Sequence, residues 1–449
     1  MVYHVSYWDL VLCPIYILFF YLIVTAIAKK YYSNDEYLRK MLLRGFWLKI
    51  FFSIIFVLLT QFYFGGGDTF MYYEFGKVLH NAITDNFQNT SFIFSGPDFF
   101  YDYVDNNTFA ELDSGHVSGY MFGISNQIVV RISCILGFFC FQNFTVISLF
   151  FSMLSYIGVW KMFLLFYKIY PNYKKQIGIS FLFLPSFLFW SSGLLKEALC
   201  LFGLGLAVKG FYNLFYFKER SYVGIIGAIL GCYFLYLVKG YILFAFMASY
   251  FIMLFSFYTK KLNALTRFFF TILIITGIFL GFNIIVENFQ SDASVLSAEQ
   301  LIEQSKSFKD NYEDMGGAFV DIGDIDPSVF GIIKKIPLAI TVVFLRPFPW
   351  EAKSIVLLMS MFESLFFLIL FVRGLWKTKI YGFFSLILKN PIYLNCFVFS
   401  LFLGIIIGLT TFNFGTIIRY KIPCMPFFCM ILLFVNAKKE KAKEVVNKH

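Results

Sequence analysis

The sequence has little charge: only 14% of its 449 residues are Asp, Glu, Lys or Arg. A soluble domain usually carries about 25% charged residues. Hydrophobic residues make up 59% of the chain and aromatic residues 22%, and 64 residues are Phe. A soluble core of this size could not bury so much apolar surface. The composition therefore excludes a cytosolic enzyme and a disordered chain, and it predicts an all-α integral membrane protein.

Patterns typical of metal sites and disulfide frameworks are also scarce. The chain has four His, and its eight Cys lie mostly in apolar runs without a CxxC pair. Such cysteines are typical of small buried hydrophobic residues, so neither zinc nor a disulfide framework is indicated. No basic region precedes the first apolar run, and we expect no cleavable signal peptide.

Long apolar runs dominate what remains. Eleven are long enough, or nearly so, to span a bilayer, which takes about 20 residues. Two further stretches, 117–140 and 329–345, are interrupted by Gly, Asn, Pro or paired charges and predict re-entrant or interfacial segments. We expect residues 1–449 to form a single polytopic membrane domain. The eleven predicted spans are 10–28, 47–64, 143–166, 176–194, 197–217, 222–238, 241–257, 265–285, 354–372, 392–411 and 421–436.

The charges are distributed unevenly between the predicted loops. With the C-terminus in the cytoplasm and neither interrupted stretch crossing, most of the 37 Lys and Arg, Lys49 included, fall on the cytoplasmic side. Two long outer loops, about 65–125 and 286–353, then hold most of the 27 acidic residues. This asymmetry follows the positive-inside rule and explains the net charge of +10 without a nucleic-acid partner.

The first of four unusual clusters at the predicted outer face, residues 65–74, lies where the second span emerges. Three glycines would let the backbone turn sharply and approach a ligand beside Asp68. The alternative is a flexible exit loop in which Asp68 caps the following helix. The other candidates in this cluster are Tyr72, Tyr73 and Glu74.

The second cluster, residues 185–197, ends in the pair Lys196 and Glu197. An unpaired charge in a membrane costs about 2.5–3.5 kcal/mol, so this pair demands partners. A snorkelling lysine beside an aromatic belt is the alternative. Lys239 lies in a similar predicted outer turn, which by itself is weak evidence for a functional role.

The third and fourth clusters are residues 345–351 and 411–423. Two prolines hold the third in an extended form that displays Arg346 and Glu351, unless these two form a structural pair that closes the loop. The fourth places Arg419 and Lys421 at the outer entry to the last span, a position that the positive-inside rule disfavours.

Basic side chains from these clusters could serve a phosphate ligand. Arginine binds phosphate in a planar, two-pronged way, and lysine acts as a point charge. A lipid-linked diphosphate would need such groups at the membrane surface. The candidates are Arg346, Arg419, Lys196 and Lys239.

At these four clusters the sequence resembles bacterial multi-spanning glycosyltransferases and polysaccharide polymerases. These are the GT-C-type and O-antigen-polymerase-like proteins that assemble capsule, O-antigen or exopolysaccharide. The resemblance covers most of the chain in layout, but only the four clusters in motif. It rests on residues 66–68 with Tyr72 and Tyr73, on 185–197, on 346–351 and on 419–423.

The resemblance implies hexosyl-type transfer from a polyprenyl-diphosphate-linked donor to a lipid-linked glycan, on the outer face of the inner (plasma) membrane. Asp68 would activate the acceptor hydroxyl, although it follows the second predicted span rather than the first. Arg346 and Arg419, with Lys196, would stabilise the departing diphosphate. No cofactor is required, although Asp68 with Glu74 could hold a divalent metal. The implied partners are the two glycan substrates, membrane lipids, and a chain-length regulator or other polysaccharide assembly proteins.

Two other functions remain open at this point. A transporter or flippase of lipid-linked oligosaccharide should carry charge at mid-membrane depth, where Lys161, Lys209 and Glu363 are the main examples. A scaffold subunit without chemistry should tolerate replacement of the outer charges. For the glycosyltransferase, the predicted substrate contacts are Tyr72, Tyr73, Glu74, Lys196, Glu197, Lys239, Trp350, Glu351 and Lys421.

Overall fold

The structure is a computed structural model that describes residues 3–95, 123–219, 221–258, 277, 320, 323 and 329–437. Within these ranges the chain is helical and contains no β-strand. Among the described residues, seven helices are long and apolar enough to cross a membrane, or eight if one bent pair counts as a span. The prediction of an all-α membrane protein is therefore confirmed, whereas the predicted number of about eleven spans is not.

Fourteen helices are defined in the described ranges. The turn Thr60–Phe64 extends the second helix, Phe87–Ile93 is a 3-10 helix, and Tyr212–Tyr216 extends the eighth. The helices are α1 (Asp9–Tyr31), α2 (Glu36–Leu59), α3 (Asp68–Asp85), α4 (Ile124–Cys140), α5 (Phe144–Ile169), α6 (Lys174–Leu182), α7 (Pro185–Trp190), α8 (Lys196–Phe211), α9 (Tyr222–Tyr258), α10 (Val329–Leu345), α11 (Ile355–Lys389), α12 (Pro391–Thr410), α13 (Phe414–Tyr420) and α14 (Met425–Asn436).

Several predicted spans differ from the observed helices. Residues 176–194 form two short helices, α6 and α7, followed by an irregular turn at 191–195. The predicted spans 222–238 and 241–257 join as α9, whose backbone is non-helical at Lys239 (φ −151°, ψ 81°). The last predicted span, 421–436, contains only α14, and α13 precedes it at an angle of 75°. The predicted span 265–285 lies outside the described residues.

The two interrupted stretches and the two long loops contain helices of their own. Within 117–140 the described residues form α4, and 329–345 coincides with α10; both helices have 17 residues. The first predicted outer loop contains α3, which is 18 residues long. In the second, residues 286–319, 321–322 and 324–328 lie outside the described residues.

Polar side chains define where several helices begin. The Asp35 side chain accepts a hydrogen bond from the Leu38 backbone N–H at 2.9 Å and caps α2. Asn390 caps α12 by accepting from Ile392 N at 3.0 Å, and Pro391 occupies the first helical position. These caps satisfy backbone donors that a helix leaves unpaired at its N-terminus.

The chain divides into two compact units: Met1–Met162 with Phe187–Lys239, and Phe163–Ser186 with Gly240–His449. In the first unit α5 and α8 pack backbone against backbone. A Cβ atom on Gly158 would lie 2.1 Å from the Leu201 carbonyl oxygen, and one on Gly205 would lie 2.1 Å from the Gly158 oxygen. Small residues of this kind let membrane helices approach closely.

In the second unit, α14 packs against α6, α11 and α12, and α10 packs against α12. Gly408 of α12 faces α10 so closely that a Cβ atom would lie 2.6 Å from the Ala339 oxygen. The Phe344 and Phe428 rings stack with their centroids 4.1 Å apart. The core of this unit is therefore formed by α14 and the helices around it.

Helix α1 is the least enclosed of the long helices. In its most apolar stretch of 18 residues, only 11% of the residues are buried within the protein. Its inner residues, such as Phe20 and Val24, are buried, and the helix packs against α2. Its outer residues, such as Leu10 and Leu22, are more than half exposed. In a bilayer this outer surface faces lipid.

Candidate functional site

The first cluster forms the start of α3 in the first unit. Gly65 and Gly67 adopt positive φ angles of 67° and 107°, which glycine takes without steric cost, and they connect the end of α2 to α3. Asp68 is the first residue of α3 and is partly exposed. The N-cap is Gly67 and no side-chain hydrogen bond caps α3, so the alternative in which Asp68 caps this helix is wrong. A carboxylate in the first helical turn still interacts favourably with the helix dipole, and the chemical role of Asp68 stays a prediction.

Tyr72 and Tyr73 point into the first unit. The Tyr72 hydroxyl donates to Asn126 Oδ1 at 3.0 Å, and the Tyr73 hydroxyl donates to the Gln142 carbonyl oxygen at 2.6 Å. Burial raises the pKa of Tyr73 to about 12, and the charges of Glu74 and Asp9 add to this. Both tyrosines tie α3 to neighbouring segments, and their predicted part in sugar binding stays a prediction.

Glu74 contacts a residue that the sequence did not single out. His4 Nδ1 lies 3.1 Å from Glu74 Oε1, and the His4 backbone N–H donates to Gln61 Oε1 at 2.8 Å. The His4 ring packs edge-on against Phe70 and Tyr73. Burial lowers the pKa of His4, and the Glu74 charge partly opposes that effect. The segment before α1 is thus attached to α3.

The second cluster and Lys239 meet in the first unit. Lys239 Nζ lies 3.0 Å from Glu197 Oε1, and the two side chains are only 8% and 1% exposed. Lys196 Nζ donates to Ser125 Oγ. Ser125 is next to Asn126, the partner of Tyr72, so the start of α4 connects the first two clusters. The partners that a buried Lys–Glu pair requires are therefore present.

Lys49 is a further charged residue of the first unit, and the expectation that it lies in a cytoplasmic loop is wrong. It lies inside α2 and is 1% exposed. Its Nζ donates to the Ser191 carbonyl oxygen at 2.8 Å, to Ser191 Oγ at 2.6 Å and to Ser192 Oγ at 3.2 Å. Its place within the predicted span 47–64 was the sequence signal that it is buried.

The third cluster, in the second unit, is a closed loop. Arg346 Nε donates to the two Glu351 carboxylate oxygens at 3.0 and 3.2 Å, and the Phe348 backbone N–H donates to Oε2 at 2.7 Å. Although burial alone would raise the pKa of Glu351, these hydrogen bonds and the Arg346 charge hold it below its usual value. The Arg–Glu pair thus has the loop-closing geometry of the structural alternative.

The third and fourth clusters also come together in the second unit. The Arg346 guanidinium carbon lies 5.2 Å from the Phe414 ring centroid, a cation–π contact. Phe414 begins α13, and Arg419, partly exposed, follows five residues later on the same helix. Trp350 is 76% exposed, and its ring stacks on Phe348 with centroids 5.0 Å apart.

Lys421 and Glu363 lie in the interior of the second unit. Lys421 is fully buried, and its Nζ donates to the Val343 carbonyl oxygen at 3.1 Å. Glu363 Oε1 accepts from the Ser186 backbone N–H at 2.7 Å, and the Ser186 hydroxyl donates to Oε2. The sequence assigned Ser186 and Lys421 to outer clusters, whereas here both are buried polar groups. The role of Lys421 as a substrate contact remains a prediction.

The geometry therefore gathers the predicted residues in two groups, one in each unit. Within the described residues, no group of three or more His, Cys, Asp or Glu is placed to hold a metal ion. The chain matches no protein-family model, and no curated protein or solved structure shows significant similarity to it.

Proposed function

We propose that the chain is a membrane glycosyltransferase or polymerase that uses a polyprenyl-diphosphate-linked sugar donor. It would act on the outer face of the bacterial inner membrane in the assembly of cell-surface polysaccharide. The observation that carries this proposal is the proximity of Arg346 to α13, the helix that bears Arg419. Two guanidinium groups near one short helix suit a ligand with two phosphates.

Glu351 orients Arg346 but engages only some of the N–H donors of the arginine guanidinium. The carboxylate accepts from Nε and Nη2, and within the described residues no hydrogen bond engages Nη1. The two N–H groups of Nη1 are therefore open to a phosphate oxygen. As the anomeric C–O bond breaks, negative charge grows on the diphosphate, and preorganised donors stabilise such charge.

Asp68 keeps the role of acceptor base that the resemblance implies. As the first residue of α3 it is partly exposed, and the helix holds its backbone in place. It would take the proton from the attacking hydroxyl. Lys196, which donates to Ser125 Oγ, is a supporting cation in the same unit.

The experiment that tests the proposal is transfer in vitro by the purified full-length protein, supplied with a polyprenyl-diphosphate-linked sugar and a lipid-linked acceptor. We expect Arg419→Ala to lose at least a hundredfold in rate, because removing one preorganised donor costs about 10²–10³. Arg419→Lys should recover only part of this rate, since it keeps the charge but loses the planar fork. The matched control is Arg44→Ala, at an exposed position of α2. Full activity of Arg419→Ala and of Asp68→Asn would refute the proposal.

A transporter or flippase of lipid-linked oligosaccharide is the second candidate, and one observation favours it. Glu363 and Lys421 are both buried in the second unit, and Lys421 lies at the break between α13 and α14. Broken helices beside buried charges are typical of transporter binding sites. Deletion of the gene distinguishes the two candidates. Single lipid-linked units accumulating outside the membrane indicate a polymerase, and units retained inside indicate a flippase.

A further inference from the structure

An open cleft of about 680 Å³ runs along α11, apart from the groups described above. Its lining changes character along the helix. The earlier residues are aliphatic and the later ones are basic or aromatic. The lining residues are Leu368, Ile369, Val372, Arg373, Trp376 and Lys377.

The polar end of the cleft is positively charged and has no nearby acid in the sequence. No Asp or Glu occurs between Glu363 and Glu440. Arg373 is exposed, and no hydrogen bond or ion pair engages it in the described part of the chain. Lys377 Nζ donates to the Asn436 and Ala437 carbonyl oxygens at 2.7 and 3.1 Å, which leaves one of its N–H donors.

The aromatic residue of the cleft is positioned as in a membrane interface. The Trp376 side chain is 87% exposed, one turn after Val372 on a helix apolar enough to span the bilayer. Tryptophan favours the level of the lipid headgroups, where its ring meets apolar chains and its N–H finds an acceptor. The order along α11 is thus aliphatic, then aromatic and basic, which is the order of a phospholipid from acyl chain to phosphate.

We propose that this cleft is a binding site for one anionic phospholipid. An acyl chain lies along Leu368 and Val372, and the phosphate binds the guanidinium of Arg373 and the indole N–H of Trp376. The charged side chains that line the cleft, Arg373 and Lys377, are both basic, which favours an anionic headgroup. Phosphatidylcholine and phosphatidylethanolamine carry a cation that finds no acidic partner among the residues that line the cleft, whereas an anionic headgroup meets Arg373 and Lys377 there.

Quenching by brominated lipids tests this site, because bromine in a bound acyl chain quenches a neighbouring tryptophan. The full-length protein is titrated with brominated phosphatidylglycerol or brominated phosphatidylcholine, and the signal of Trp376→Phe is subtracted to isolate Trp376. We expect phosphatidylglycerol to bind roughly fivefold more tightly, the effect of about one basic residue near the membrane surface. Arg373→Gln should bring the ratio close to one, and Arg373→Lys should retain a preference. Inorganic phosphate should not compete.

The matched control is Lys389→Gln, an exposed basic residue at the end of α11, beyond its non-helical residue Lys379 and outside the cleft. This variant should keep the wild-type ratio. Equal affinity for the two lipids in the wild-type protein would overturn the proposal, since ordinary snorkelling at a lipid-facing helix predicts that result. An unchanged ratio in Arg373→Gln, or displacement of the lipid by inorganic phosphate, would overturn it as well. The intrinsic fluorescence and elution volume of each variant show whether it is folded.

Discussion

The Lys49 ammonium lies 2.8 Å from the Ser191 carbonyl oxygen, although 142 residues separate the two in sequence. Ser191 begins the irregular turn between α7 and α8, and α8 starts with Lys196 and Glu197. A second donor also holds this turn, because the Ser155 hydroxyl donates to the same carbonyl oxygen at 2.6 Å. Helices α2 and α5 therefore position the turn that leads into the candidate residues of the first unit.

Removing the Lys49 ammonium should destabilise the protein. Lys49→Met keeps most of the side-chain stem but removes the donor from the buried Ser191 and Ser192 hydroxyl oxygens, while the Ser191 carbonyl keeps its bond from Ser155. Leaving buried acceptors without a partner costs about 1–3 kcal/mol. Thermal unfolding of the purified protein in detergent measures the loss. Lys40→Met is the control, since its ion pair with Glu36 is on the surface and its loss should change little. A Lys49→Met variant as stable as the wild type would contradict the argument.

The Glu197–Lys239 pair should show strong coupling between the two side chains. Lys239→Met leaves a carboxylate that is 1% exposed without this counter-ion, which costs about 3–5 kcal/mol. Adding Glu197→Leu removes that buried charge, so the double variant should be more stable than Lys239→Met alone. Unfolding free energies of the two single variants and the double variant form a double-mutant cycle. Additive losses would show that the two groups do not interact.

The Glu351 contact should make stability depend on pH on the acid side. The pKa of Glu351 in the folded protein lies below its usual value of 4.5, so folding favours the ionised carboxylate. This contribution is complete above pH 4.5 and is lost as the pH falls through the folded pKa. Glu351→Gln should therefore lower the thermal midpoint at neutral pH, and the difference from wild type should shrink below pH 4.5. A difference that stays constant down to pH 3 would be inconsistent with this assignment.

The contact between α5 and α8 should not tolerate even one added methyl group. An alanine at Gly158 or Gly205 would place its Cβ 2.1 Å from a backbone oxygen, so the helices must separate. Overpacking of this kind typically costs about 1–3 kcal/mol. Gly227→Ala in α9 is the matched control, because the nearest atom to its Cβ would be 4.0 Å away. Yield of folded protein and thermal midpoint should fall for the first two variants and stay near wild type for the third.

The sequence predicts the long single helices well because each of them needs a run of about 20 apolar residues to cross a bilayer. Predicted span 10–28 lies within α1, and 143–166 and 392–411 each extend only one residue beyond α5 and α12. The positions at which a predicted span divides into separate helices were harder to predict, because the sequence stays apolar through them. Residues 176–194 stay apolar while the chain leaves the helix at Phe183 and again after Trp190.

The candidate site was predictable where its partners are close in sequence. The Arg346–Glu351 pair, five residues apart, was one of two interpretations open from the sequence. The partners of Glu363 and Lys421 lie 177 and 78 residues away, and no local pattern indicates that Ser186 or Val343 faces them. Contacts of this kind depend on how helices pack, which hydropathy does not encode.

The outward surface of α1 has a consequence for how its sequence can vary. Side chains such as Leu10, Ile15 and Leu22 are exposed on the outer surface of α1, which a bilayer would cover with lipid. They therefore need to be hydrophobic, but they do not need a particular shape to pack against other side chains. Leu, Ile, Val and Phe should be interchangeable there. The inner positions Phe20 and Val24 must instead match the side chains of the protein. The two surfaces of α1 are thus under different constraints. In a library that randomises its apolar residues, the outer positions should accept any large apolar residue, and the inner positions should accept few substitutions.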